Sequence, residues 1–85
     1  MKVLKLYTTL GCHLCEEAEV ILLPLLRQRG YLLEKVEISE SEELVELYGI
    51  RIPIIALPEN LRDGREEPTE LGWPFDLDQL SRFLP

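Results

Sequence analysis

The amino-acid sequence predicts an α/β protein with a mixed four-stranded sheet and helices on its faces. Strand-like and helix-like segments follow one another in the order β-α-β-α-β-β-α. The opening strand–helix–strand order implies a parallel pair of strands. An Asp-Gly turn at residues 63–64 implies an antiparallel pair near the end. The 85 residues suit one domain, residues 1–85.

The first strand is predicted over "VLKLY", residues 3–7, where apolar residues alternate with a polar one. A helix is predicted from His13 to about Gln28, stopped by Gly30. Pro24 lies inside this segment and predicts a bend rather than an end. Apolar residues at spacings of three and four give the helix one apolar face: Leu14, Ala18, Ile21, Leu22 and Leu25.

The middle of the chain predicts a strand, a short helix and another strand. "YLLEKVEI", residues 31–38, is the second strand. "SESEELVELYG", residues 39–49, has a serine-capped start and a closing glycine, which indicates a short helix. "IRIPIIAL", residues 50–57, is predicted to be the third strand and contains a proline.

The last part of the chain predicts a hairpin and a helix. The Asp-Gly dipeptide at residues 63–64 is a strong turn signal, and a short fourth strand is predicted over 66–71. Asp76 and Gln79 form a capping-box pattern for a final helix, residues 77–84.

Charge and hydropathy exclude several classes of function. The net charge of −7 argues against binding to nucleic acid or to an anionic membrane surface. Neither an apolar run of about 18 residues nor a signal-like segment is present, so a cytoplasmic monomer is expected. The acidic residues of the middle segment are expected to form a solvated face: Glu37, Glu40, Glu42, Glu43 and Glu46.

Both cysteines, Cys12 and Cys15, lie between the first strand and the first helix. A C-x-x-C spacing in a cytoplasmic protein indicates redox chemistry or metal binding. At the start of a helix, unpaired N–H groups and the helix dipole lower the pKa of the Cys12 thiol below about 8.5. A protonated His13 lowers this pKa further, whereas Glu16 and Glu17 raise it.

The spacing also assigns a role to each thiol. Cys15 lies one turn further along and can form a disulfide with Cys12, so Cys12 attacks a substrate and Cys15 resolves the mixed disulfide. This chemistry needs no cofactor. One alternative is that both cysteines are small buried residues. Another is a metal or iron–sulfur site, although Cys12, Cys15 and His13 are fewer than the roughly four ligands that zinc prefers.

A strand is followed by "CHLC" and a helix, and a later "RIP" stands at the entry to a strand. In these features the chain resembles the glutaredoxin and thioredoxin family, most closely a compact glutaredoxin-like protein. The resemblance covers essentially the whole chain through the order of its elements. It implies a thioredoxin-like fold with a cis bond between Ile52 and Pro53. It also implies that Pro53 faces the cysteines and shapes a substrate groove, where the Ile52 backbone pairs with the backbone of the substrate.

The chain departs from the family pattern at several positions. His-Leu replaces the usual Pro-Tyr between the cysteines, and Thr9 stands where a lysine is common. "LGWPFD" matches the family's Gly-Gly-x-Asp stretch only loosely. Arg51 is the nearest cation in sequence to the groove. Trp73 is a candidate contact, although Trp73 and Phe75 are more typical of core anchors.

The sequence therefore predicts a thiol–disulfide oxidoreductase in redox homeostasis. Its expected substrate is a disulfide-containing protein or a small thiol, and its expected reductant is a thioredoxin-type protein or glutathione, with glutathione the poorer partner. The alternative is a non-enzymatic thioredoxin-like module that carries metal or an iron–sulfur cluster, or binds a partner.

Overall fold

The computed structural model describes residues 2–66 and 68–85. The predicted order of strands and helices is confirmed. The strands are β1 Lys2–Thr8, β2 Tyr31–Glu37, β3 Ile54–Ala56 and β4 Glu70–Gly72. The α-helices are α1 His13–Arg29, α2 Glu42–Tyr48 and α3 Leu77–Phe83, and two 3-10 turns cover Ile38–Glu40 and Glu59–Leu61.

The sheet is mixed and four-stranded, as predicted, and its strands lie in the order β2-β1-β3-β4. β1 and β2 are parallel, with Thr8 opposite Glu37. β3 runs antiparallel to both of its neighbours, with Ile54 opposite Tyr7 of β1 and opposite Gly72 of β4. β1, β2 and β4 therefore end where β3 begins. We call this the Thr8 end of the sheet.

The core lies on the face of the sheet that carries Leu4, Leu6 and Ile55, all fully buried. Their partners come from α1 and α3, which cover this face: Ala18, Leu22, Leu26, Leu80 and Phe83. The predicted apolar face of α1 is correct in period but not in its first residue. Leu14 is 46% exposed, whereas Cys15 is 2% exposed. Within the residues that the structure describes, no helix is long and apolar enough to cross a bilayer.

The ends of α1 and α3 follow their local signals. Gly30 has a left-handed φ of 74° and caps α1, because glycine adopts this conformation at little cost. α1 continues through Pro24, as predicted. Before α3, the N–H of Gln79 donates to Asp76 at 2.8 Å, and the N–H of Asp76 donates to the Gln79 side chain at 3.0 Å. The capping box is confirmed.

α2 has the serine-capped start and the closing glycine that were predicted, and its first helical residue is Glu42, within the predicted segment 39–49. The Ser41 hydroxyl accepts a hydrogen bond from the N–H of Leu44 at 3.3 Å, so Ser41 is the cap. The three residues before it, Ile38–Glu40, form a 3-10 turn instead of helix. β2 correspondingly ends at Glu37, one residue before the predicted boundary.

The strand predicted over residues 50–57 is shorter in the structure, because its first half belongs to a turn. The N–H groups of Arg51 and Ile52 both donate to the carbonyl of Tyr48, at 2.8 and 3.1 Å, and these hydrogen bonds form a turn directly after α2. Pro53 has no N–H to offer to a neighbouring strand. β3 therefore starts only after this proline.

The Asp-Gly pair at residues 63–64 forms a turn, as predicted, because the N–H of Arg65 donates to the carbonyl of Arg62 at 3.0 Å. The predicted antiparallel pair on either side of this turn is confirmed, because β3 pairs with β4, but the connection between the two strands is long. A 3-10 turn, Glu59–Leu61, follows β3, and the Arg62 side chain donates to the carbonyl of Leu57 at 2.6 Å. These contacts fold the segment into a longer connection.

The fourth strand was predicted over 66–71 but begins at Glu70. Residue 67 of that prediction lies outside the described residues. The Arg65 side chain donates to the carbonyl of Phe83 at 2.7 Å, which ties this part of the connection to the end of α3. The chain is thus held against the helix before it can enter the sheet.

Candidate redox site

Cys12 is the N-cap of α1, at the Thr8 end of the sheet. The connecting loop, residues 9–11, turns back on itself, because the N–H of Cys12 donates to the carbonyl of Thr9 at 3.2 Å. Gly11 has a φ of 79° within this turn, a conformation that favours glycine. The local sequence therefore places Cys12 at the start of the helix, as predicted.

Cys12 and Cys15 form a disulfide with their Cα atoms 5.2 Å apart, within the usual range. The N–H of Cys15 donates to Sγ of Cys12 at 3.1 Å. Cys12 is half-buried, whereas Cys15 is 2% exposed. An approaching group therefore meets Cys12 first, at the helix end whose N–H groups favour a thiolate.

His13 lies beside Cys12 in sequence but is directed into solvent. Its Nδ1 is 3.7 Å from the Glu16 carboxylate, and the two side chains are 83% and 73% exposed. Such exposed pairs are strongly screened by water and salt. The role of His13 in adjusting Cys12 stays a prediction.

The bond between Ile52 and Pro53 is cis, as the family resemblance implied. Pro53 is buried, and its carbonyl accepts a hydrogen bond from the N–H of Trp73 at 3.0 Å. Because β3 begins directly after Pro53, this residue lies at the Thr8 end of the sheet, where the cysteine loop also begins. The Trp73-Pro74 bond is cis as well, although no pattern in the sequence indicates it.

Two candidate contact residues are engaged in intramolecular packing. Phe75 is buried in the core, and Trp73 is partly buried against the core and edge-on to Phe75 with ring centres 5.1 Å apart; a substrate contact by Trp73 stays a prediction. The Arg51 guanidinium donates to the carbonyl of Leu47 at 3.3 Å and lies 5.8 Å from the Tyr48 ring. The Arg51 side chain therefore turns back onto α2.

A cavity of about 290 Å³ lies beside the disulfide, between α1 and β2. Its lining residues come from the cysteine loop, α1 and β2: Thr8, Thr9, Leu10, Gly11, Cys12, Cys15, Glu16, Glu19, Lys35 and Glu37. Lys35 is 3.4 Å from Glu19. Neither Ile52 nor Pro53 lines this cavity. The lining contains three carboxylates, from Glu16, Glu19 and Glu37, and one ammonium group, from Lys35, so the wall of the cavity carries a net negative charge.

The predicted solvated face is correct for the exposed residues Glu40, Glu42, Glu43 and Glu46, but it is wrong for Glu37, which is partly buried and hydrogen-bonded to the backbone. Its Oε1 accepts a hydrogen bond from the N–H of Leu10 at 2.9 Å, and its Oε2 accepts one from the N–H of Ser39 at 3.0 Å. Hydrogen bonds from the backbone of Ser39, from the Thr9 side chain and from Leu10 lower the pKa of Glu37 to about 2. The only sequence signal was its place at the end of a strand parallel to β1.

A second polar contact holds the segment of the chain that precedes Pro53. The Tyr48 hydroxyl donates to the Glu70 carboxylate at 2.6 Å, and the Tyr48 ring stacks on Tyr7 with centres 4.2 Å apart. The bond to Glu70 and burial raise the pKa of Tyr48 above its usual value. Since the Tyr48 carbonyl also accepts from Ile52, this contact holds the segment that leads into Pro53.

The metal alternative needs a group of side-chain ligands around the cysteines. Zinc prefers about four. Within residues 2–66 and 68–85, no three His, Cys, Asp or Glu side chains are grouped so that they could hold a metal ion.

Comparisons with known proteins agree with this geometry. A family model described as a glutaredoxin-like domain (DUF836) matches residues 3–85. The X-ray structure of Northeast Structural Genomics target protein XcR50 from X. campestris is 34% identical, with a TM-score of 0.68 over 94% of this chain and 92% of that chain. No curated protein matches the chain. The mixed four-stranded sheet with three α-helices is a thioredoxin-like fold, and the chain belongs to the glutaredoxin-like family DUF836.

Proposed function

We propose that this protein is a thiol–disulfide oxidoreductase that acts on protein disulfides by a dithiol mechanism. The observation that carries the proposal is the asymmetric cysteine pair. Cys12 is accessible at the start of a 17-residue helix, and Cys15 is buried behind it in disulfide contact. Membership of a glutaredoxin-like family supports a redox module of this kind.

In the first step, the Cys12 thiolate attacks one sulfur of the substrate disulfide. The substrate S–S bond breaks, a mixed disulfide forms between Cys12 and the substrate, and the first substrate thiolate leaves and takes a proton from water. Cys12 is the attacking group because it is the more exposed sulfur and because α1 begins there.

In the second step, the Cys15 thiolate attacks Sγ of Cys12. The mixed disulfide breaks, the second substrate thiolate leaves, and the disulfide between Cys12 and Cys15 forms. Two electrons have then passed from the protein to the substrate. A thiol reductant, either a thioredoxin-type dithiol or two molecules of glutathione, returns two electrons and restores both thiols.

Ile52 and Pro53 shape the substrate groove in this proposal. The N–H of Ile52 already donates to Tyr48 at 3.1 Å, so its carbonyl is the group that accepts a hydrogen bond from the substrate backbone. Backbone pairing of this kind is insensitive to the substrate's side chains. It suits a protein with an extended segment around its disulfide.

Charge favours a protein disulfide over glutathione. The net charge of −7 and the acidic wall of the cavity beside the cysteines repel an anionic tripeptide. The proposed reductant is therefore a thioredoxin-type protein. The proposed setting is the cytoplasm, where thiols are kept reduced and a C-x-x-C pair can cycle in redox homeostasis.

The proposal is tested by catalysis of protein-disulfide reduction. Wild type and Cys12→Ser are compared for the reduction of insulin by dithiothreitol, after circular dichroism has shown that both are folded. Wild type is expected to accelerate the reaction and Cys12→Ser to leave it at the uncatalysed rate. Equal acceleration by both proteins would overturn the mechanism. An inactive wild type purified with iron and sulfide would favour the cluster-carrying alternative.

A further inference from the structure

We infer that Glu37 is a positioning residue for Cys12, because its carboxylate holds the loop that carries this cysteine to α1. Its Oε1 accepts a hydrogen bond from the N–H of Leu10 at 2.9 Å, and its Oε2 accepts one from the N–H of Ser39 at 3.0 Å. The inference rests on the proposed function, since it concerns the reactivity of the attacking thiol.

The loop gains little stability from apolar packing. The Leu10 side chain is 91% exposed, so burial does not hold this residue in place. The bond between Cys12 and Thr9 lies within the loop and does not attach it to another element. The hydrogen bond from the Leu10 N–H to Glu37 does attach the loop to another element. It spans 27 residues of sequence and joins the loop to the end of β2.

Sheet register places Glu37 where this bond can form. Glu37 is opposite Thr8, the last residue of β1, and its side chain reaches two residues further to Leu10. Leu10 is in turn two residues before Cys12. A shift of the loop would move Sγ of Cys12 away from the N–H of Cys15, now 3.1 Å away. Hydrogen bonds weaken steeply with poorer geometry, so the thiolate would lose stabilisation.

Both oxygens of Glu37 are needed for this role. A glutamine has the same size but only one acceptor oxygen, and its NH₂ group cannot accept from an N–H. Glu37→Gln therefore breaks one of the two bonds and weakens the other, because a neutral amide oxygen accepts a weaker hydrogen bond than a carboxylate; the bond to Leu10 is thus lost or weakened in either orientation of the amide, while the volume of the side chain is kept. Glu37→Asp keeps two acceptor oxygens on a shorter stem and is expected to behave between wild type and Glu37→Gln.

Positioning and simple charge predict opposite signs. Glu37 and Cys12 line the same cavity, and a nearby negative charge by itself disfavours a thiolate. If Glu37 acted only through its charge, Glu37→Gln would lower the pKa of Cys12. If Glu37 acts by holding the loop, Glu37→Gln raises this pKa. The other charged groups around the site are unchanged in the variant: His13, Glu16, Glu19 and Lys35.

The test uses a Cys15→Ser background, in which Cys12 is the single thiol. The thiolate absorbance of Cys12 and its rate constant with hydroxyethyl disulfide, a neutral reagent, are measured against pH. Glu37→Gln is expected to raise the pKa of Cys12 by about one unit, which lowers the thiolate fraction by up to about ten-fold. The control is Glu40→Gln, which removes the same charge from an exposed residue nearby and is expected to change the rate by less than about two-fold.

An unchanged or lower pKa of Cys12 in Glu37→Gln would overturn the inference. Should Glu37→Gln fail to fold, Glu37→Asp supplies the same comparison, with an intermediate pKa expected and an unchanged pKa contradicting it. The absorbance titration does not require turnover. A raised pKa in a protein that does not reduce insulin would therefore refute the proposed function and leave the positioning role standing.

Discussion

The backbone N–H of Cys15 donates a hydrogen bond to Sγ of Cys12 over 3.1 Å. This contact makes the two sulfurs chemically unequal. Cys12 is partly exposed and lies where α1 presents its N–H groups, whereas Cys15 is 2% exposed. In the proposed mechanism, Cys12 is therefore the thiol that ionises and meets a substrate, and Cys15 is protected until a mixed disulfide has formed.

The pKa of Cys12 in the reduced protein is expected to lie below that of a free thiol. In Cys15→Ser it should fall between about 3.5 and 7.5, the range of thiols at helix N-termini. In Cys12→Ser, burial is expected to keep the pKa of Cys15 at or above about 8.5. Thiolate absorbance against pH measures both. Indistinguishable pKa values in the two variants would contradict the unequal roles.

Tyr48→Phe is expected to destabilise the protein by about 1 kcal/mol. It removes the hydrogen bond to the Glu70 carboxylate, and bonds to charged groups contribute roughly 1.5–3 kcal/mol, reduced here by partial exposure. The stacking on Tyr7 is retained by the phenylalanine ring. Urea unfolding at neutral pH measures the change. Glu70→Gln keeps an acceptor oxygen and should cost less than Tyr48→Phe.

The same pair of proteins should converge at alkaline pH. The raised pKa of Tyr48 means that its contribution to stability is complete below the unfolded value of about 10 and is lost as pH rises through the folded value. Wild type should therefore lose its advantage over Tyr48→Phe above about pH 10. An advantage that grows with pH in this range would show that the hydroxyl does not donate to Glu70.

Glu37 should stabilise the fold in a pH-dependent manner. Its pKa is lowered from 4.5 to about 2, so its contribution is present above pH 4.5 and is lost as pH falls through about 2. The difference in unfolding free energy between wild type and Glu37→Gln should shrink over this window. Glu40→Gln, measured in parallel, corrects for the change in net charge. If the difference in unfolding free energy stays constant down to pH 2, the hydrogen bonds to an ionised Glu37 do not stabilise the fold.

Glutathione is expected to be a poor reductant. Thr9 occupies the position where a lysine is common in the family, and the Arg51 side chain is turned onto Leu47 and Tyr48. Turnover is compared with glutathione and its reductase, and with thioredoxin and its reductase. Faster turnover with thioredoxin is expected. Efficient turnover with glutathione, and a KM that Arg51→Ala leaves unchanged, would show that another feature binds the tripeptide.

Local signals predicted much of the fold and the position of the cysteines. Gly30 at the end of α1, and the Asp76 and Gln79 pair before α3, act within one helical turn, so the sequence reveals them directly. The position of Cys12 at the start of α1 follows from the same kind of signal. The cis bond before Pro53 was expected from family resemblance and not from any local pattern.

Long-range contacts were not predictable from these patterns. Glu37 and Leu10 are 27 residues apart, and Tyr48 and Glu70 are 22 residues apart. Neither pair produces a periodic pattern in the sequence, because the two residues of each pair come together only when the strands of the sheet are in register. The late start of β3 was missed for a related reason, since the turn after Tyr48 competes with strand pairing for the same N–H groups.

Trapping of the mixed disulfide tests the roles of the two cysteines most directly. Reduced Cys15→Ser and reduced Cys12→Ser are each mixed with a disulfide-containing protein, and covalent complexes are quantified by mass spectrometry without reductant. Cys15→Ser should accumulate a complex linked through Cys12, because the resolving thiol is missing. Cys12→Ser should accumulate none, since Cys15 is buried. Equal yields from the two variants, or a complex formed mainly through Cys15, would contradict the assignment of Cys12 as the attacking thiol.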